Sequence, residues 1–361
     1  MKYWILLLFA ITSIKSKAQN PENIIIITTD GFRWQELFSG MDSSIANNKK
    51  YNSGDSAYLF KKYWDNDPTQ RRKKLLPFLW STGEANGQIF GNRNLGNTVN
   101  VANPYWFSYP GYNEILTGFA DTAINSNDFP PNPNTTVLEW LNKQQNIKGK
   151  VAAFGAWEAF NRIINEQRSG IPVVAAFDTV TGLNLTLQQR LINSMLLNSY
   201  KPWLNDECLD VFTHYAAAEY LKEKKPKVLY IAYGETDEWA HAGKYRSYLD
   251  AAHQVDAWIK QLWDWVQSNP QYRNNTTFFI TTDHGRGDKI KSEWTSHGSS
   301  IDGASEIWFA VFGSKIAAVG EMKNREQLFQ KQFAQTFAYL LGYHYKASHP
   351  VADPIELKTK K

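Results

Sequence analysis

The regular segments of this chain are continuous apolar runs more often than alternating ones. Residues 23–29 (NIIIITT), 151–156, 228–234 (VLYIAYG) and 276–282 are apolar or β-branched throughout. Runs of that length belong to strands buried on both faces of a parallel sheet. Between them the period lengthens. Residues 137–144, 185–199, 206–224 and 245–268 read as helices, the last with Leu249, Ala252, Val255, Ile259, Leu262 and Val266 at helical spacing. A late strand is expected at 306–313 and a closing amphipathic helix at 325–341. Residues 47–74 are polar, aromatic and charged, which suits loops and short helices over the fold. No internal repeat or low-complexity tract interrupts the pattern. Strands alternating with helices predict one α/β domain, a mostly parallel central sheet flanked by helices. The stretch 160–225, with its two helices, reads as a small helical cap inserted over the sheet's edge.

In such sheets the chemistry lies beyond the carboxyl ends of the strands. The first run ends in Asp30-Gly31. The run at 228–234 leads into Glu235-Thr236-Asp237-Glu238-Trp239-Ala240-His241, where Asp237 and His241, four apart, share a helix face. The run at 276–282 ends in Asp283-His284-Gly285, and His297-Gly298 follows a polar loop. Any one of these would pass for a cap or a turn. Three carboxylates and three imidazoles at strand ends make a metal-ligand set, too large for one tetrahedral zinc and suited to two cations. Imidazoles favour zinc or manganese over magnesium or calcium.

A nucleophile is offered by Phe107-Ser108-Tyr109-Pro110-Gly111. Ser108 stands just before a Pro-Gly turn that opens a helix, where free N–H groups favour an anion.

Taken together, Asp30-Gly31, Ser108-x-Pro-Gly with Thr117-Gly118, Asp237-x-x-x-His241, Asp283-His284-Gly285 and His297-Gly298 resemble the alkaline phosphatase superfamily, in the family's order. The likeness is greatest to its type I phosphodiesterase and nucleotide pyrophosphatase branch. That resemblance implies that Asp30, Ser108, Asp283 and His284 bind one zinc and Asp237, His241 and His297 the other, with Ser108 transiently phosphorylated. It also implies an asparagine holding a phosphoryl oxygen, a place that Asn127 fits. Sulfatases of the superfamily carry Arg where Tyr112 stands here. Phosphoglycerate mutases carry a longer insertion after the nucleophile, and phosphoethanolamine transferases several membrane helices before the domain. A non-catalytic binding protein on the same fold would have lost ligands, yet each ligand position is filled. The expected function is a two-metal phosphoric ester hydrolase leaning to diesters, with a phosphomonoesterase as the alternative. The lean comes from Trp157-Glu158-Ala159-Phe160, aromatic and acidic where some monoesterases of the family place Lys-x-Arg. Arg162 is the one nearby cation that could replace that pair.

Composition adds a compartment. Lys2, the apolar run to Ile14 and the small residues at Ser16 and Ala18 read as a secretory signal over 1–18 cleaved near Ala18. The expected product is an exported, periplasmic or secreted chain, with the catalytic domain at 19–361 and no membrane span left after cleavage. The whole chain has 39 basic and 35 acidic residues, and losing Lys2, Lys15 and Lys17 leaves 36 against 35. Near neutrality gives no support for a nucleic-acid surface, so the expected partner is a small phosphate ester. Cys208 is the single cysteine, so no internal disulfide can form. His214, His253, His344 and His349, with no partner at ligand spacing, are expected to be surface or helix residues, and Glu235 and Glu238 solvated carboxylates at a helix start.

Overall fold

A computed structural model describes residues 23–360; the signal segment at 1–18 lies outside the described residues. Eleven strands run in chain order: β1 Asn23–Thr29, β2 Gly87–Phe90, β3 Asn97–Asn100, β4 Val151–Gly155, β5 Val173–Ala175, β6 Val228–Tyr233, β7 Thr276–Thr281, β8 Glu306–Ile307, β9 Phe309–Gly313, β10 Gly320–Glu321 and β11 Glu326–Phe329. Eight form the central sheet in the order β10-β2-β9-β7-β1-β6-β4-β5, and β11-β3-β8 form a small second sheet. From β7 across to β5 every pairing is parallel. Only β9 runs against its neighbours β7 and β2.

The isoleucine run of β1 shows why the continuous apolar pattern was needed. Ile25 and Ile27 enter one core, with Leu249, Val255 and Leu262 of the helix Tyr245–Ser268 and Ala217 and Leu221 of the helix Asp210–Lys224. Ile24 and Ile26 enter the other, with Ile115 and Leu116 of the helix Ser108–Thr117 and Phe333 and Phe337 of the helix Phe333–Leu340. Successive side chains of a strand point to opposite faces, so both sets must be apolar when helices cover both sides. Within 160–225, the helix Asp210–Lys224 thus packs on the sheet. The helix Leu187–Leu197 lies farther out, with Leu187 and Leu191 exposed. Among the described residues no helix is long and apolar enough to cross a membrane.

Two expected elements are different in the structure. Residues 325–341 are not one helix: Glu326–Phe329 is β11, parallel to β3, and the helix starts only at Phe333. Leu328 is buried between Gln327 and Phe329, a period of two, and the Gln332 side chain accepts from the Phe329 N–H at 2.9 Å, ending the strand. The late strand at 306–313 is broken at Trp308. Ile307 pairs with Val99 in the small sheet and Phe309 with Phe90 in the large one, so the chain crosses between sheets there. Trp308 anchors the crossing through its indole N–H to the Phe32 carbonyl, 2.8 Å.

Candidate active site

Three adjacent parallel strands deliver the candidate ligand set. In register, Thr29 of β1 faces Tyr233 of β6, and Thr28 faces Thr281 of β7, so the three strands end level. Asp30 follows β1, Asp237 and His241 ride the helix Glu235–His241 after β6, and Asp283-His284 follow β7. Their side chains converge on His284 Nε2, which lies 3.2 Å from Asp30 Oδ1, 3.5 Å from Asp283 Oδ2 and 3.7 Å from Asp237 Oδ1. His297 Nε2 lies 3.8 Å from Asp237 Oδ1 and 2.9 Å from His241 Nε2, which is itself 3.0 Å from Asp237 Oδ2. The structure brings all six together.

Backbone geometry makes the convergence possible. Gly31 has φ +57°, and a Cβ there would meet Asp237 Oδ1 at 2.6 Å. On the other side, a Cβ at Gly111 would come 2.6 Å from the Asp283 carbonyl oxygen. Pro110-Gly111 therefore lets the helix Ser108–Thr117 start against the end of β7. That start carries Ser108, the first residue of Ser108–Thr117, with Oγ 3.4 Å from His284 Nε2. The His297 loop is tied to the same place, since Gly298 N–H donates to the Trp106 carbonyl at 3.0 Å. Asn127 comes beside Ser108: its Oδ1 accepts from the Tyr109 N–H at 3.0 Å, leaving the amide NH₂ as a donor in the cleft.

The electrostatics call for cations. Asp30 has its pKa raised by burial and by Asp237, and Asp283 is pushed well above the carboxylate range by burial and by Asp30. Burial works against ionising Asp237 too, yet Arg286, His241 and His297 hold it well below the usual value. Burial likewise opposes charge on His284, but Asp283 and Asp30 raise it to about 9. His297 is driven well below its ordinary value by burial and by His284. Buried Asp30 Oδ1, Asp283 Oδ2 and His297 Nδ1 have no hydrogen-bond partner. Crowded carboxylates with orphaned oxygens beside imidazole nitrogens are what a divalent ion relieves. Two sets have ligand atoms within 4.8 Å of one another, Asp30-Asp283-His284 and Asp237-His284-His297. The residues fit divalent metal, with His284 common to both sets. Its other nitrogen, Nδ1, bonds the Gly285 carbonyl at 2.9 Å and so directs Nε2 at the cluster.

Several participants escaped the sequence reading. Arg286 is 1 % exposed and donates from Nη1 to Asp237 Oδ1 at 2.8 Å; its place two residues after His284 was the available signal. Tyr112 donates its hydroxyl to Asp30 Oδ2 at 2.9 Å, and so braces that carboxylate. Glu235 and Glu238 are half-buried rather than fully solvated. Glu235 accepts from the Asp210 N–H at 2.9 Å, and Glu238 lines the cleft, its pKa pushed up to about 7 by burial and by Asp237. The cleft, about 220 Å³, is further lined by Trp157, Glu158, Arg162, Asp206 and Glu207. Phe160 and Tyr112 pack in the core instead. The four other histidines have partners outside the cleft: His214 bonds the Tyr233 hydroxyl at 2.9 Å, His253 the Leu75 carbonyl at 2.7 Å, His344 Gln335 at 3.3 Å and His349 the Thr135 carbonyl at 3.0 Å.

Comparison with solved structures places this fold. It is similar to wild-type alkaline phosphatase PafA, at 11 % identity and a TM-score of 0.58, over 93 % of this chain and 98 % of that one. It is also similar to a putative sulfatase from Bacteroides thetaiotaomicron VPI-5482, at 13 % identity and 0.57, over 91 % and 72 %. The lipoteichoic acid synthase LtaP from Listeria monocytogenes shares the fold at 11 % identity and 0.51, over 90 % and 73 %. Among curated proteins none matches the sequence. The profile of the Metalloenzyme superfamily matches residues 113–340, more than half of the chain. The chain belongs to the metalloenzyme superfamily, with the fold of its alkaline phosphatase-like, metal-dependent hydrolases.

Proposed function

We propose that this chain is an exported phosphoric ester hydrolase that works through Ser108 with two divalent metal ions, zinc first and manganese second, and that it prefers diesters. One observation carries the reading: Ser108 Oγ stands 3.4 Å from His284 Nε2, the atom on which both ligand sets converge. Asp30, Ser108, Asp283 and His284 would hold one ion, and Asp237, His241 and His297 the other. Bound there, the ions would supply Lewis-acid stabilisation of the phosphoryl oxygens and lower the pKa of the attacking hydroxyl.

The chain's own groups do the rest. Ser108 Oγ bonds phosphorus as the bond to the leaving oxygen breaks, and the departing alcohol takes up a proton. Water then cleaves the Ser108–phosphorus ester, which with a diester substrate still carries the second organic group, and restores the hydroxyl. The Asn127 amide donates to a phosphoryl oxygen, and the free N–H groups at the start of Ser108–Thr117 add partial positive charge.

The preference for diesters rests on Arg162. It is the one guanidinium or ammonium among the residues lining the cleft, and it is engaged already, paired with Glu158 and donating to the Phe129 carbonyl at 2.9 Å. A monoester brings a second full negative charge that wants a free cation. The test measures kcat/KM of the zinc-loaded enzyme on matched aryl monoester, diester and sulfate ester, with mass spectrometry of acid-quenched protein for the phosphoryl adduct on Ser108, which from a diester carries the second organic group. Diester turnover with label on Ser108 is expected. A monoester preference above about a hundredfold, roughly 2.7 kcal/mol of transition-state binding, would replace the diesterase by a monoesterase. A sulfate ester as the best substrate would reject phosphoryl transfer.

A further inference from the structure

The cleft holds side chains that phosphoryl transfer does not use: Glu207, Glu238, Asp206 and Trp157. Glu207 is the informative one. It is 6 % exposed, and its Oε1 has no hydrogen-bond partner. A buried carboxylate oxygen left unsatisfied is costly and demands an explanation. The fold nevertheless holds it in place. Its backbone is bridged to Trp157 and Trp203, and its Oε1 occupies space beside Gly234, 1.7 Å from where a Cβ would stand. The neighbouring backbone donors are taken, since Asp210 accepts from the Gly234 and Glu235 N–H groups at 2.8 and 3.1 Å. The cleft's guanidinium is taken as well, by Glu158. Glu238, Asp210, Asp30 and Asp237 surround Glu207 with further negative charge. Metal ions at the ligand sets would answer Asp30 and Asp237 and leave Glu207 and Glu238 unanswered. Beside them stands the half-buried Trp157, its indole N–H held by Asp206 at 3.3 Å. Carboxylates and an indole face are the surroundings that bind organic ammonium groups.

We propose that this wall binds the cationic group of a small amino-alcohol phosphate ester, of the ethanolamine or choline class, through Glu207 and Glu238 beside Trp157. The proposal rests on the phosphoric ester reading above and names its substrate class. The cleft, about 220 Å³, has room for a phosphoryl group and a short cationic arm.

The test compares p-nitrophenyl phosphocholine with its uncharged isostere, p-nitrophenyl 3,3-dimethylbutyl phosphate, on the zinc-loaded enzyme. The choline ester is expected to lead in kcat/KM by on the order of thirtyfold. That ratio should collapse in Glu207→Gln and shrink in Glu238→Gln, a partly exposed position that serves if the buried variant fails to fold. Equal rates for the two esters in the wild type would overturn the subsite and leave the hydrolase reading standing. Hydrolysis of neither would overturn the hydrolase reading. The subsite is then decided by calorimetric titration with choline chloride against sodium chloride. Saturable binding lost in Glu238→Gln supports it, and no saturable binding, or a third zinc bound through Glu207, overturns it.

Discussion

Tyr112→Phe isolates the brace on one metal ligand. The hydroxyl donates to Asp30 Oδ2 at 2.9 Å, Tyr112 is 1 % exposed and Asp30 6 %. Water therefore has little access to replace the lost donor. Hydrogen bonds to charged groups contribute about 1.5–3 kcal/mol. Removing one also lets burial and Asp237 raise the Asp30 pKa further, so a metal ion must displace a more firmly held proton. At about 1.4 kcal/mol per tenfold, zinc affinity should fall by about 10- to 100-fold, the range expected when the partner of a ligand is lost. Competition with a chromophoric chelator on the metal-free protein reads the affinity, and circular dichroism of the same sample checks the fold. At saturating zinc, kcat should largely recover, because Ser108 and the cleft are untouched. An intact variant whose zinc affinity is within threefold of wild type would refute the argument that Tyr112 holds Asp30 ready for metal.

Three further outcomes are expected. Ser108→Ala should lose turnover by orders of magnitude with metal content nearly intact, while His284→Ala should lose metal and activity together, as measured by elemental analysis beside rate; full activity in Ser108→Ala would reject the covalent route. Gly111→Ala places a methyl 2.6 Å from the Asp283 carbonyl oxygen and should displace the start of the nucleophile's helix. A shift of about 1 Å costs on the order of a hundredfold in rate, so kcat should fall far more than melting temperature does. His214 has its pKa lowered from 6.5 to about 4 by burial. The unfolded chain therefore takes up that proton first as pH falls. This contribution to stability is full above about pH 6.5 and is lost toward pH 4, at most about 3 kcal/mol. Urea midpoints of metal-free wild type and His214→Gln at pH 7.5 and 5 should show the smaller acid loss in the variant, and equal losses would remove His214 as the cause.

The primary sequence was enough for the long parallel strands β1, β4, β6 and β7 and for the carboxylates and imidazoles that follow three of them, because each is local in the chain. A strand covered on both faces must be apolar at every position, as in Ile24 to Ile27, and ligands sit in the residues directly after such strands. The level ends of β1, β6 and β7 then carry Asp30, Asp237 and Asp283 together. Short strands left no such mark. β11 and β2 pair over four residues each, too few for a period to show, and hydrogen bonds to distant partners decided them. The same holds for the wall of the cleft. Glu207 lies thirty residues before Asp237, in a stretch with no motif, and only the bridge to Trp157 and the space at Gly234 bring it to the site. Arg162 could be read as a cation near the phosphoryl group, but its pairing with Glu158 and the Phe129 carbonyl is a tertiary fact. Charge type is written in the residue; whether that charge is free to meet a substrate depends on what folding sets beside it.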